Sequence, residues 1–249
     1  MEGPGFVALS AQVVLQKQLD VVANNVANAN TTGYKPDHQL FQSYVEKLAV
    51  PGGAVSFVQD RATYIDRKDG EISLTGNSWD VAIKGDGYLA VSSGSETLYT
   101  RDGQLHLGQD GTLLSSSGLP VLGPDSQPIQ VPPNADQPQI LADGDITVKV
   151  NGVSQQVGQI GMFRTTDQLA LRKAGGSLLS APAGAMQPVD GSDRGSSIVQ
   201  GGLEGSTVQP VSEIANLTEL SRAYDRLQTL MSDDNDRQQK MIQTLGQSA

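Results

Sequence analysis

The chain of 249 residues contains no cysteine, which excludes disulfides, thiolate metal sites and a cysteine nucleophile. Aromatic residues are only 4% and hydrophobic residues 37%, while Gly and Pro number 28 and 12. That profile suits a turn-rich β region with modest cores better than a compact α/β enzyme. Basic residues are also outnumbered, 17 against 27 acidic ones, and the net charge of −10 repels a phosphate backbone or anionic lipid. No nucleic-acid partner is expected. Nothing approaches the run of about 18 apolar residues that a membrane-spanning helix needs. The opening MEGPGFVALSAQVVLQKQLD has neither the basic start nor the unbroken apolar stretch of a secretory signal. If the protein leaves the cytosol, it is expected to do so by another route, without a cleaved signal peptide.

What the chain does have is a helical pattern at each end. Between residues 6 and 29 there is no Gly or Pro, and Ala8, Ala11, Leu15, Leu19, Val22 and Val26 recur at helical spacing. Asn28, Asn30 and Gly33 tolerate left-handed backbone, and Pro36 forbids continuation, so the helix stops there. Near the other end Pro210 precedes Ser212, which reads as a helix N-cap. Leu217, Leu220, Tyr224, Leu227 and Met231 follow at spacings of 3, 4, 3 and 4, a heptad seam that runs on through Asp234 and Gln238 to Met241 and Leu245. Ile214 lies one step ahead of it.

The middle is punctuated differently. Asp-Gly occurs at 69–70, 86–87, 102–103, 110–111, 143–144 and 190–191, and Asn-Gly at 151–152. These dipeptides favour tight hairpin turns. Their flanks alternate as strands should, at Ile146, Val148 and Val150 before Asn151-Gly152 and at Val153 and Val157 after it. Residues 98–100, 105–107 and 113–114 read as a further meander, and 173–202 as an irregular return path. The expected class is α+β: an antiparallel β domain at 76–202, an extended or β connector at 36–75, and helices in 1–35 and 203–249. An apolar stripe on a lone helix is unstable in water, so the two helices are expected to pack together as a coiled coil. Two thin helices remain a thin structure, and copies from neighbouring subunits would complete it.

Residues 21–35, VVANNVANANTTGYK, carry a motif in which Ala23, Asn24, Asn25, Val26, Ala27, Asn28, Thr31, Thr32, Gly33, Tyr34 and Lys35 fill consecutive roles. It resembles the N-terminal signature of bacterial flagellar axial proteins, the rod, hook and hook-associated subunits. The resemblance continues in WDVAIKGDGYLAV at 79–91, YTRDGQLHLGQDGTLLSSSGLPVLG at 99–123, GLEGSTV at 202–208, which resembles the opening of the C-terminal helix, and SRAY at 221–224. Thr207 stands where the family usually has Asn, which puts the contact of that amide in question. The length and the start FVALS are more similar to the proximal than to the distal rod branch.

The resemblance implies a structural rod subunit, exported unfolded by the flagellar type III apparatus and assembled in the periplasm into a hollow helical drive shaft of the basal body. Its partners would be copies of itself, other rod subunits, the export apparatus, and membrane-ring and outer-ring proteins. Terminal helices would line the tube, transmitting torque around a channel for later subunits. The residues assigned to the assembly interface are Ala11, Leu15, Leu19, Val22, Asn24, Asn25, Val26, Asn28, Gly33, Ile214, Leu217, Leu220, Tyr224, Leu227 and Met231.

Sharper chemical readings are weaker. Residues 85–90, GDGYLA, match a dinucleotide fingerprint only if a helix begins there, and the sequence continues as a strand. His38 and His106 are the only histidines and neither has a ligand cluster, so no metal or cofactor is expected. The acidic run 233–236 lacks the Gly and spaced oxygens of a calcium loop. Without a Gly-x-Ser-x-Gly elbow or another nucleophile–base pair, no catalytic residue is assigned and no enzyme is expected. Two other readings stay open: the distal rod or another axial protein, and a periplasmic or surface β binding module whose helices serve only as a clasp.

Overall fold

The computed structural model describes residues 3–47, 54–94, 96–167, 169–189 and 195–247. It separates into two compact units. One comprises Met1–Ala27, His38–Thr63 and Gln209–Ala249, and the other Asn28–Asp37 and Tyr64–Val208. Two helices with many antiparallel strands make the chain α+β.

The first unit holds helix α1 (Gly3–Ala27), helix α2 (Pro210–Gln247) and most of a strand pair, Asp37–Lys47 with Ala54–Ile65. α1 and α2 lie against each other. Pro4 is tolerated because it falls in the first turn of α1, where its missing N–H would have no partner. After Ala27 the chain turns twice, with Thr31 N donating to Asn28 O at 3.1 Å and Tyr34 N to Thr31 O at 3.2 Å. Asn28 and Asn30 do not adopt the left-handed backbone their type permits; that conformation falls at Gly33, φ 65°. The Asn28 side chain instead accepts a hydrogen bond from Thr31 Oγ1 at 3.1 Å. α2 starts earlier than the expected cap at Ser212. Pro210 occupies the first helical position, where its fixed φ suits the helix, and Glu213 N donates to Gln209 O at 3.0 Å. Ser212 therefore lies inside the first turn.

The second unit is a set of short antiparallel ladders. Its largest sheet runs in the order Arg172–Gly175, Leu178–Ser180, Thr97–Thr100, Tyr88–Ser92, Met162–Arg164, Gln187–Pro188. A three-stranded sheet places Asp145–Val150 between Val153–Gln159 and Ala135–Ile140. Three further pairs join Ser196–Gln200 to Val81–Gly85, Gly202–Glu204 to Ile72–Leu74, and Leu105–Leu107 to Leu113–Ser115. The main core is aliphatic, built on Val81, Ile83, Val91, Leu113, Ile146 and Ile160 among others, which accounts for a sound interior despite so few aromatics.

The turn dipeptides divide by use. Asn151-Gly152, with φ of 52° and 82°, closes the hairpin that pairs Val150 with Val153. Asp143-Gly144 and Asp110-Gly111 also sit between paired strands. Asp69-Gly70, Asp86-Gly87 and Asp102-Gly103 close no hairpin, because the strands on either side of each pair elsewhere. Asp190-Gly191 lies outside the described residues. The expected meander fails for the same reason: Thr97–Thr100 pairs with Tyr88–Ser92 and Leu178–Ser180, leaving 105–107 and 113–115 as a separate hairpin. The stretch 173–202 is not irregular but supplies several short strands, whose Gly and Ser content hides them from a hydrophobicity pattern. Residues 85–90 form a turn into a strand, with no helix to receive a dinucleotide.

Gly103 is fixed by close packing. A β-carbon there would stand 1.7 Å from the carbonyl oxygen of Val81, whose own N–H donates to Gly103 O at 2.9 Å. Gly103→Ala is therefore expected to destabilise the β unit by about 3 kcal/mol or more. Gly118→Ala, at a turn with φ 74° and open space around it, should cost only about 1–2 kcal/mol. Urea unfolding of the two variants checks the ranking.

Candidate functional site

The residues assigned to the assembly interface fall into two groups. Ala11, Leu15, Leu19, Val22 and Val26 are half-buried along α1, and Leu217, Leu220, Tyr224, Leu227 and Met231 are half-buried along α2. The α1–α2 contact includes Gln12 Nε2 donating to Tyr224 Oη at 3.1 Å. Asn25 is only 2% exposed and Asn28 half-buried, whereas Asn24 is exposed. Ile214 stands off the α2 stripe at 51% exposure. Val14, not among the assigned residues, is buried. Its position three residues beyond Ala11 was the available signal, blurred because apolar residues surround α1 on several sides; Leu9 and Val13 are exposed. On α2, Val211, Leu230, Met241 and Ile242 are likewise exposed apolar residues.

Gly33 belongs to the β unit, and it opens the second group. A β-carbon on Gly33 would lie 2.3 to 2.5 Å from the backbone of Arg101 and Asp102, and φ 65° adds a second reason for glycine. Gly33 N donates to Glu204 O at 2.8 Å, and Thr207 N donates to Tyr34 O at 3.3 Å. Residues 33–34 and 204–207 thus run side by side. GLEGSTV does not open α2: Gly202–Glu204 is a strand, and α2 starts only at Pro210. The Thr207 hydroxyl, in the place of the family's Asn, is buried without a hydrogen-bond partner.

Beneath this crossing lies a buried ion-pair cluster. The Glu204 carboxylate, 1% exposed, accepts from Lys35 Nζ at 2.7 Å, Gly70 N at 2.6 Å, and Arg101 Nη1 at 3.2 and 3.3 Å. Arg101 Nη1 also reaches Asp69 Oδ1 at 3.0 Å, and Nη2 donates to Gly85 O at 2.6 Å. The guanidinium lies 5.3 Å from the Tyr88 ring centre. Lys35 further donates to Lys68 O. Glu204 is the one buried anion between two buried cations, and Asp69, half-exposed at the edge of the cluster, supplies the second negative charge. Burial pushes the Lys35 ammonium below its ordinary pKa, with Glu204 opposing. Burial also works against the Arg101 charge, but Glu204, Tyr88 and Asp69 together outweigh it and hold that pKa above the usual value.

Lys173 grips the same segment from an outer strand. Its Nζ lies 3.5 Å from the Tyr34 ring centre and donates to Lys35 O at 2.6 Å. Burial pushes its pKa down to about 8, with Asp37 pulling the other way. Sequence reasoning assigned no role to Arg101, Glu204, Asp69 or Lys173. The signal for Glu204 was the single charge inside GLEGSTV; Arg101, next to Asp102, and Lys173 left none.

Comparison with known proteins gives the family. Residues 7–35 match the family described as flagella basal body rod protein, 82–148 the flagellar hook protein FlgE/F/G D1 domain, and 199–244 the flagellar basal body rod FlgEFG protein C-terminal region. The flagellar basal-body rod proteins FlgF of Mesorhizobium japonicum and Caulobacter vibrioides are 36% and 34% identical, each over 99% of both chains. FlgG of Bacillus subtilis is 28% identical over 95% of this chain and 97% of its own. The chain belongs to the flagellar basal-body rod protein family, and its similarity to FlgF exceeds that to FlgG of Bacillus subtilis.

Two outcomes follow from the cluster. Glu204→Gln leaves Lys35 and Arg101 buried without their shared anion, so urea unfolding should show a loss of about 3–5 kcal/mol. The folded pKa of Lys173, about 8, lies below the ordinary 10.5, so the unfolded chain holds the extra proton between those values. Stability therefore rises as pH increases through about 8 toward 10.5, and Lys173→Met removes that rise from the urea midpoints.

Proposed function

We propose that the chain is a structural subunit of the proximal rod, the part of the flagellar drive shaft nearest the inner membrane. The observation that carries this is the full-length similarity to FlgF, above that to FlgG of Bacillus subtilis. In this reading the helical core comprises residues 1–35 and 203–249, the β domain 76–202, and residues 36–75 connect them. α1 and α2 pack as a coiled coil through Ala11, Leu15, Leu19, Val22, Val26, Leu217, Leu220, Tyr224, Leu227 and Met231. Asn24, Asn25, Asn28, Gly33 and Ile214 complete the assembly interface.

The half-buried stripe on α2 supports this, and so do the exposed apolar residues Leu9, Val13, Val211, Leu230, Met241 and Ile242, which one chain leaves facing water. Covering each large aliphatic side chain would contribute roughly 1.5–3 kcal/mol, so neighbouring subunits supply the missing stability. Copies of the chain and other rod subunits are the partners, with the type III export apparatus delivering each subunit and the membrane-ring and outer-ring proteins surrounding the finished rod in the periplasm. The tube turns under torque and passes later subunits through its channel. No helix among the described residues is long and apolar enough to cross a membrane.

Leu227→Asp and Leu19→Asp place a charge on the helix seam, in the unit that holds α1 and α2. Each is expected to leave the urea transition of the β unit in place while abolishing swimming in a strain that carries only the variant. Normal swimming by either variant would count against the packing.

A further inference from the structure

Asn151-Gly152 differs from the other turn dipeptides among the described residues in chemistry and in surroundings. It is the one that carries a side-chain amide, and both of its residues are exposed. A β-carbon on Gly152 would meet nothing within 4 Å, whereas Gly70, Gly103, Gly111 and Gly144 are each pressed against a backbone oxygen. The dipeptide tips a hairpin whose outer strand, Val153–Gln159, is the edge of its sheet and pairs only with Asp145–Val150. Val153, Ser154, Gln155 and Gln156 are all exposed. Few buried contacts hold this end closed, so its local opening takes far less free energy than unfolding of the β core.

We propose that Asn151 is a site of spontaneous modification, the loss of its side-chain amide, gated by the opening of this hairpin. The Gly152 nitrogen attacks Asn151 Cγ, the Cγ–Nδ2 bond breaks, and the amide leaves as ammonia with the proton that the Gly152 nitrogen gives up. Solvent water then opens the five-membered imide at either carbonyl, leaving Asp or its β-linked isomer. Glycine at the second position favours the attack, because no side chain shields its nitrogen. The closed hairpin opposes it. With φ of 52° and 82° across a two-residue loop, the turn is of type I′, in which the first central residue has ψ of about +30°. That angle holds the Gly152 nitrogen nearly opposite Cβ about the Cα–C bond, while ring closure needs the two on the same side. The turn must therefore open before the amide is lost. The β-linked product adds a carbon to the backbone of a two-residue loop, so the pairing of Val150 with Val153 is the first to go. The chemistry does not depend on the rod assignment.

Peptide mapping by mass spectrometry of the full-length chain, incubated warm at mildly alkaline pH, follows the amide lost at Asn151. The native chain is expected to lose it on the order of ten-fold more slowly than the same chain unfolded in guanidinium. Val153→Gly removes the side chain paired with Val150 at a position 69% exposed, so the β core keeps its urea transition. This variant is expected to narrow the gap between native and unfolded rates while its unfolded rate stays that of the native sequence. Hydrogen exchange across 145–159 should be faster in the β-linked product, and unchanged exchange would contradict the lost pairing. Equal rates in native and unfolded chains would overturn the gate. No loss from the native chain after the unfolded chain has reacted to completion, or a gap that Val153→Gly leaves as it was, would overturn the proposal as well.

Discussion

The Glu204 carboxylate is the group on which the β unit depends. A buried carboxylate without partners would neutralise or force the fold open, because desolvating its charge costs several kcal/mol or more. Here it is met by Lys35 from one end of the chain, Arg101 from the middle and the Gly70 N–H between them. Lys35 and Gly70 share one carboxylate oxygen, and Arg101 reaches both. The same contacts explain local features that look unrelated. Gly33 has no side chain because Arg101 backbone fills the space, and Lys173 caps the Tyr34 ring from the far side.

The helical unit rests on a different balance. Its stripes are half-buried where the β core is fully buried, and large apolar residues remain in water on both helices. Hydrophobic burial scales with area removed from water, so these helices gain much less from a single chain than the β unit does. The protein thus combines a fully buried β core with helices whose apolar residues a single chain leaves partly uncovered. Exposed apolar helices on a fully self-satisfied protein would be a liability; in the rod assembly proposed above, neighbouring subunits cover them.

How much of this could be read from the residues depended on the range of the interaction. Helical periodicity is local, and the stripe from Leu217 to Met231 emerges as the half-buried face of α2. α1 was harder: its apolar residues lie on several sides, and Val14 escaped notice beside the equally apolar Val13 and Leu15. Asp-Gly at 110–111 and 143–144 and Asn-Gly at 151–152 foretold turns, yet Asp-Gly at 102–103 serves close packing against Val81. Only the fold distinguishes those uses. The ion-pair cluster was least legible, because Lys35 and Glu204 are 169 residues apart. The motifs marked where something mattered without saying that they meet one another.

The central claim is that this chain is built into the proximal rod by its terminal helices. A cryo-electron map of intact basal bodies, resolved well enough to assign side chains, tests it most directly. The account predicts density for this sequence in the proximal rod, with Leu217, Leu220, Leu227 and Met231 packed against α1 and with Leu9, Val13 and Leu230 covered by neighbouring subunits. A map in which the rod density fits other sequences, or in which those helices project unpaired from the shaft, would contradict it.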